Sequence, residues 1–327
     1  MTQPHTTHPR AAGRFLRVDG VPLHAVVEGD GPPVVLSAGL AMAWFDWDEV
    51  AALLVAAGRT VIRFDRPGHG LSAPATTPPT AAGEAHRIAG LLDTLGVTAP
   101  VTVVGHSLAG FHAEAFARLH PDRTAALVLV DSSVEESPRT LLPAALRTGA
   151  ARALGRALTA AGIPAALGPA ARRAAVRASR AAGGRPGDGR PGDGRTRDGR
   201  PGDPAARDLV RRCYRTGRVW RGILLENSRY PDTAAELLAL RTRHPLPAPA
   251  TVLVAHDGGR GRAARRWLAR QAALADRLGA RFEVAEPAGH LVMLDRPHQV
   301  ARAVRYAAAP GPPAGRRLTR AAPPPAA

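Results

Sequence analysis

The sequence predicts an α/β protein: a mostly parallel sheet with helices on both faces. Two observations carry this. Apolar runs of four to six residues alternate along the chain with longer segments whose apolar positions recur at helical spacing. Those runs are continuously apolar rather than alternating, as strands buried on both faces must be.

The elements follow in order. Between Phe15 and Val27, the β-prone runs FLRV and PLHAVV flank Asp19-Gly20, a hairpin turn signal, so an antiparallel edge opens the sheet. GDGPP then makes a loop, and Val34-Val35-Leu36 begins the next strand. Helical spacing covers 46–57, and Thr60 to Phe64 returns to strand, ending at Asp65. A helix over 80–95 places Ile88, Leu91, Leu92 and Leu95 on one side. Val101 to Val104 is a strand, and Phe111 to Leu119 a helix that His120-Pro121 ends. Leu127 to Val130 is a strand. After a long interval come strand 251–255, helix 262–278, strand 281–285 and helix 297–307.

The alternation breaks between about Val134 and Pro247. That interval is rich in Ala and Arg, helix-prone, and contains GRPGDGRPGDGRTRDGRPGD at 184–203, whose composition cannot bury a core. The chain therefore divides into a discontinuous core, 14–134 with 246–309, and a helical cap insertion, 135–245. Residues 184–203 read as a disordered linker, and 1–13 and 310–327 as disordered termini.

Composition narrows the function. The net charge is +17, and the interval from Arg139 to Arg218 holds 18 Arg against 5 Asp. All 44 cationic residues are Arg, with no Lys, which points to compositional bias rather than a phosphate-binding face. No nucleic-acid-binding motif accompanies the charge, so nucleic acid is not an expected partner. The one cysteine, Cys213, excludes an internal disulfide. No apolar core of signal-peptide length and no run of about 20 apolar residues appears, so no membrane span and a cytoplasmic location are expected. No Gly-rich phosphate loop follows the first strand, and no cluster has metal-ligand spacing, so neither cofactor nor metal is expected. Composition leaves the oligomeric state open.

The chemistry centres on VTVVGHSLAGFHAEAFARLHP, residues 101–121. A strand that runs straight into a helix must turn within a few residues. The residue at the tip, Ser107, is then held in a strained conformation with its hydroxyl clear of the sheet. Its neighbours two before and two after must be small, as Gly105 and Ala109 are. The helix that follows aims its N-terminus at the site and favours developing negative charge. A serine hydroxyl needs a base. His290, in EPAGHLVMLDRP after the last strand, is placed to supply one over the same sheet edge.

With these motifs in order, each after a strand, the chain resembles the α/β-hydrolase superfamily. GHSLAG resembles the nucleophile elbow, and DRPGHGLS at 65–72 the loop after the fourth strand. SAGL at 37–40 resembles the oxyanion turn after the third, with Ala38 where His is usual, and AGHLVMLDRP the histidine loop. The resemblance implies an eight-stranded, mostly parallel sheet and a Ser–acid–His triad in that chain order. Ser107 would be the nucleophile and His290 the base. The acid is Asp257, after the seventh strand, with Asp131, after the sixth, as the alternative. The backbone N–H groups of Leu40 and Leu108 would form the oxyanion hole, and Gly39, His106 and Trp44 are pocket candidates. Asp65, Arg66 and His69 would shape a loop beside the site.

The expected activity is cofactor-independent hydrolysis of an ester-like bond in a small-molecule acyl substrate, through an acyl-enzyme. Serine at the elbow argues against epoxide hydrolase and haloalkane dehalogenase chemistry, which in this superfamily uses Asp there. Acyl transfer, cyclisation or perhydrolysis on the same triad, and a non-catalytic binding protein on the same scaffold, are the other readings.

Overall fold

The computed structural model describes residues 13–74, 76–182 and 204–308. The segments read as disordered, 1–12 of the arm, 184–203 and 310–327, lie outside the described residues.

Eight strands form one sheet: β1 (Arg14–Val18), β2 (Val21–Glu28), β3 (Pro33–Ser37), β4 (Thr60–Phe64), β5 (Val101–His106), β6 (Thr124–Val130), β7 (Ala250–Ala255) and β8 (Arg281–Ala285). Their order is β1-β2-β4-β3-β5-β6-β7-β8. The pairs β1/β2 and β2/β4 are antiparallel and all others parallel. The β1–β2 hairpin closes through Asp19 (φ 48°) and Gly20 (φ 78°), the two positive φ values a tight hairpin turn requires.

Strand periodicity sorts the core into two layers. On one face Val35, Val103, Leu127 and Leu129 meet helices α2 (Ala81–Thr94) and α3 (Ala109–Leu119). On the other, Val34, Leu36, Val104 and Val128 meet α1 (Asp48–Ala56). Consecutive residues of one strand thus serve opposite layers, which is why the central strands β3, β5, β6 and β7 are largely apolar. Thr80 caps α2, its Oγ1 accepting from Gly83 N–H at 2.9 Å.

Between β6 and β7 the chain forms helices α4 (Ala144–Ala160), α5 (Ile163–Ala182), α6 (Pro204–Tyr214) and α7 (Gly217–Arg243). After β7 come α8 (Arg262–Leu278), α9 (Val292–Asp295) and α10 (Pro297–Tyr306). Among the described residues, no helix is long and apolar enough to cross a membrane.

The end of α7 packs into the core beneath the sheet. Ala234, Leu237 and Leu240, one apolar stripe at helical spacing, are buried in the same cluster as α2, α3 and the sheet. Pro231 precedes this stripe without breaking the helix. Leu237→Ala is therefore expected to lower the unfolding free energy of the whole protein by about 3 kcal/mol. Urea denaturation followed by tryptophan fluorescence and circular dichroism checks this: the two signals should shift together, in one transition.

Candidate active site

Ser107 stands just past β5 with φ 52°. Left-handed backbone at a residue other than glycine costs on the order of 1–3 kcal/mol and persists only where the surroundings impose it. Here Ser107 N–H donates to the Val130 carbonyl at 3.1 Å, and Ser133 N–H donates to the Ser107 carbonyl at 3.1 Å. A Cβ on Gly105 would lie 2.8 Å from the Ala113 Cβ, so that position takes only glycine. Ala109 is fully buried and its methyl fits.

The structure brings Ser107 and His290 together: His290 Nε2 lies 3.0 Å from Ser107 Oγ. On its other side, His290 Nδ1 lies 2.6 Å from Asp131 Oδ2. The imidazole side chain is 48% exposed and the Asp131 carboxylate 3%. Asp131 follows β6 with φ 40°. Its Oδ1 accepts from Ala255 N–H at 3.0 Å and from Trp267 Nε1–H at 2.9 Å.

Asp257, the first expectation for the acid, does not reach His290. β7 ends at Ala255, and Asp257 turns into an exposed loop where its Oδ1 accepts from Gly259 N–H at 2.8 Å. Asp131 takes the place beside the imidazole because it turns off the very end of β6 with its carboxylate facing the histidine loop, whereas Asp257 lies two residues past β7 in a loop that turns to solvent. Nothing local in the sequence marks Trp267, on α8, whose partner lies 136 positions away.

His106 and Trp44 are also placed differently from the pocket positions expected of them. His106 is 1% exposed, and its Nε2–H donates to the His290 carbonyl at 2.8 Å. Burial, reinforced by the neighbouring His290, holds its pKa well below the usual histidine range and keeps it neutral. Trp44 is buried in an apolar cluster with Phe45, Cys213, Tyr214 and Val219. Gly39 does adjoin the site: a Cβ there would lie 3.0 Å from Ser107 Cβ. His112 is buried, and burial pushes its pKa down to about 3. The histidine loop itself is fixed from two sides, by Gly289 N–H on Asp295 Oδ2 at 2.9 Å and by Leu291 N–H on Ser179 Oγ of α5 at 3.1 Å. Among the described residues, no three His, Cys, Asp or Glu are grouped as metal ligands.

A family model described as "Alpha/beta hydrolase family" matches residues 34–303. The chain belongs to the alpha/beta hydrolase family. Among its relatives, epoxide hydrolase B from Mycobacterium tuberculosis is 34% identical over 126 residues, which are 35% of this chain and 34% of that protein. The chain thus spans about a third of the length of that relative. Two solved structures share the fold over most of both chains. A thermophilic esterase from Thermogutta terrifontis gives a TM-score of 0.62 at 22% identity, covering 90% of this chain and 97% of that one. An epoxide hydrolase from Vigna radiata gives 0.65 at 18% identity, covering 91% and 97%.

In this α/β hydrolase, the turn after β3 is braced by residues remote in sequence. Leu40 and Leu108, the expected oxyanion donors, have backbone N–H groups that no other described residue engages. Arg66 donates to the Ala38 carbonyl and, at 3.1 Å through Nη2, to the Gly39 carbonyl. In a trans peptide the C=O and N–H point opposite ways, so fixing the Gly39 carbonyl fixes the direction of Leu40 N–H. Arg66 is itself paired with Glu226 of α7, Nε to Oε1 and Nη2 to Oε2, both at 2.8 Å. His69 Nε2 lies 3.2 Å from Glu226 Oε2. Two more residues of the helical insertion hold the same turn. Tyr214 Oη donates to the Ala41 carbonyl at 2.7 Å, and Arg172 pairs with Asp46. Asp65 supports the neighbouring loop, accepting from Trp44 N–H and Leu71 N–H, each at 2.9 Å.

Burial alone would raise the Glu226 pKa, but Arg66 and His69 outweigh it and hold the carboxyl well below the usual range. A carboxyl whose folded pKa is depressed stabilises the fold above its unfolded pKa, about 4.3, and that contribution fades as pH falls through the folded value. Glu226→Gln is thus expected to cost about 3 kcal/mol at pH 7. The unfolding free energies of the variant and the parent should converge as pH falls below about 4.3. Urea titrations at stepped pH measure this, and parallel curves would contradict it.

Proposed function

We propose that this protein is a cofactor-independent serine hydrolase that cleaves an ester-like bond in a small acyl substrate. The observation that carries this is the continuous line from Ser107 Oγ through the His290 ring to Asp131, at 3.0 and 2.6 Å. In this reading Asp131 accepts Nδ1–H and so leaves Nε2 as the base. His290 takes the Ser107 proton as Oγ attacks the carbonyl, and returns it to the leaving group. Asp131 stabilises the imidazolium formed in between. Its own orientation comes from the Ala255 and Trp267 donors on its other oxygen.

The tetrahedral oxyanion is received by the N–H groups of Leu40 and Leu108, each worth about 3 kcal/mol in the transition state. The N-terminus of α3 adds its dipole. Water then resolves the acyl-enzyme by the same proton path in reverse. A half-exposed His290 side chain favours water as acceptor over a transfer reaction, which needs a drier site. Serine at the elbow separates the chemistry proposed here from that of its epoxide hydrolase relatives, since that chemistry calls for a carboxylate there.

A fluorophosphonate probe is expected to label the parent protein and leave Ser107→Ala unlabelled; labelling of the variant would defeat the assignment. Turnover of 4-nitrophenyl butyrate separates the two aspartates. Asp131→Asn should lose about 10⁴-fold in kcat, and Asp257→Asn no more than a few-fold.

A further inference from the structure

A cavity of about 440 Å³ opens between the loop after β4, α4 and α7. Neither Ser107 nor His290 lines it. Its wall carries Arg152 and Arg156 from α4, and Arg218 and Arg221 from α7. The spacing is regular: i, i+4 on one helix and i, i+3 on the other, so each pair shares a face. The two faces are drawn together at Gly155, where α4 lies so close to α7 that a Cβ would come within 2.8 Å of Arg221 Cγ.

The charges on this wall are not balanced from within. Its carboxylates are Glu84 and Glu226. Glu226 is committed to Arg66 at 2.8 Å, and Glu84 pairs with Arg87 at 3.3 Å. Arg218 spends its guanidinium on backbone carbonyls, including Gly70 at 2.7 Å. Arg221 has a 3.3 Å contact to Thr159 Oγ1 and no ion pair, and Arg152 and Arg156 have neither ion pair nor side-chain hydrogen bond among the described residues. Three guanidinium groups with no ion pair among the described residues thus line a concave space. Like charges so placed repel one another until an anion enters, and the planar fork of each suits a carboxylate or phosphate.

We propose that this cavity binds a carboxylate- or phosphate-bearing small molecule through Arg152, Arg156 and Arg221. The anion belongs either to the substrate itself or to a separate small molecule that occupies the cavity alone. Binding does not depend on the Ser107 chemistry, so the two readings fail separately.

Calorimetric titration of the intact Ser107→Ala protein with glutarate and with inorganic phosphate tests the site directly. Saturable binding of at least one is expected, weakened at least tenfold in the Arg152→Gln/Arg156→Gln double variant. Both positions are exposed, so the variant should keep the parent melting temperature. Arg173→Gln, which removes an exposed cation of α5 outside the cavity, should leave the affinity unchanged. No saturable binding, or an equal loss in Arg173→Gln, would overturn the proposal. The source is separated by the ratio of kcat/KM for mono-4-nitrophenyl glutarate to that for 4-nitrophenyl butyrate. A tenfold fall in that ratio in the double variant assigns the anion to the substrate. An unchanged ratio with weakened glutarate or phosphate binding assigns it to a separate molecule.

Discussion

Two residues in left-handed backbone, side by side at one sheet edge, set the geometry on which the candidate site depends. β5 and β6 pair in parallel with His106 opposite Val130, so Ser107 and Asp131 leave their strands at the same level. Each turns with positive φ, at 52° and 40°. Neither conformation is comfortable for a residue with a side chain. Both are held because the backbone donors have partners already in place, Val130 for Ser107 and the Leu253 carbonyl, at 2.7 Å, for Asp131. The strain is what lifts a hydroxyl and a carboxylate off the sheet toward a common point. The imidazole then has one position from which it meets both.

The turn opposite is held differently. Its own backbone supplies one bond, Met42 N–H to the Gly39 carbonyl at 3.2 Å, and the Ala38, Gly39 and Ala41 carbonyls also accept from side chains remote in sequence. Arg66 would be an unsupported buried cation without Glu226, and Asp46 a buried anion without Arg172. Isolated charges of this kind are costly in a protein interior, so each pair forms as a unit or not at all. The consequence is cooperative: the helices between β6 and β7 must be docked before the Leu40 N–H has a fixed direction.

The legible parts of the molecule are those written locally. Strands of four to six apolar residues declared a sheet covered on both faces, and the two layers on either side of β3, β5 and β6 explain why. Gly105-His106-Ser107-Leu108-Ala109 carried its own turn, because crowding there is set by residues two positions away. The loop holding His290 was recognisable for the same reason. The acid was not. Asp131 and Asp257 both follow apolar strands, and the difference between them is how the chain turns after each strand: toward the histidine loop at Asp131, out to solvent at Asp257. Trp44 is a pocket candidate in the sequence because it follows the oxyanion turn, yet the helix that carries Cys213 and Tyr214 packs over it and buries it. Glu226 and Arg172 were hidden in a segment whose arginine content resembled compositional bias. Their meaning lies in partners that only folding supplies.

The bracing of the turn bears on how this fold could diversify. Relatives that differ in substrate are often imagined as one sheet fitted with exchangeable helical segments. Here the segment between β6 and β7 contributes Tyr214 to the Ala41 carbonyl, Arg172 to Asp46 and Glu226 to Arg66. A chimera that grafted another relative's helices onto this sheet would inherit Ser107, His290 and Asp131 intact. It would still lack the struts that aim the peptide across from them. Swapping the segment therefore means carrying those three side chains along, or rebuilding the turn with partners of its own.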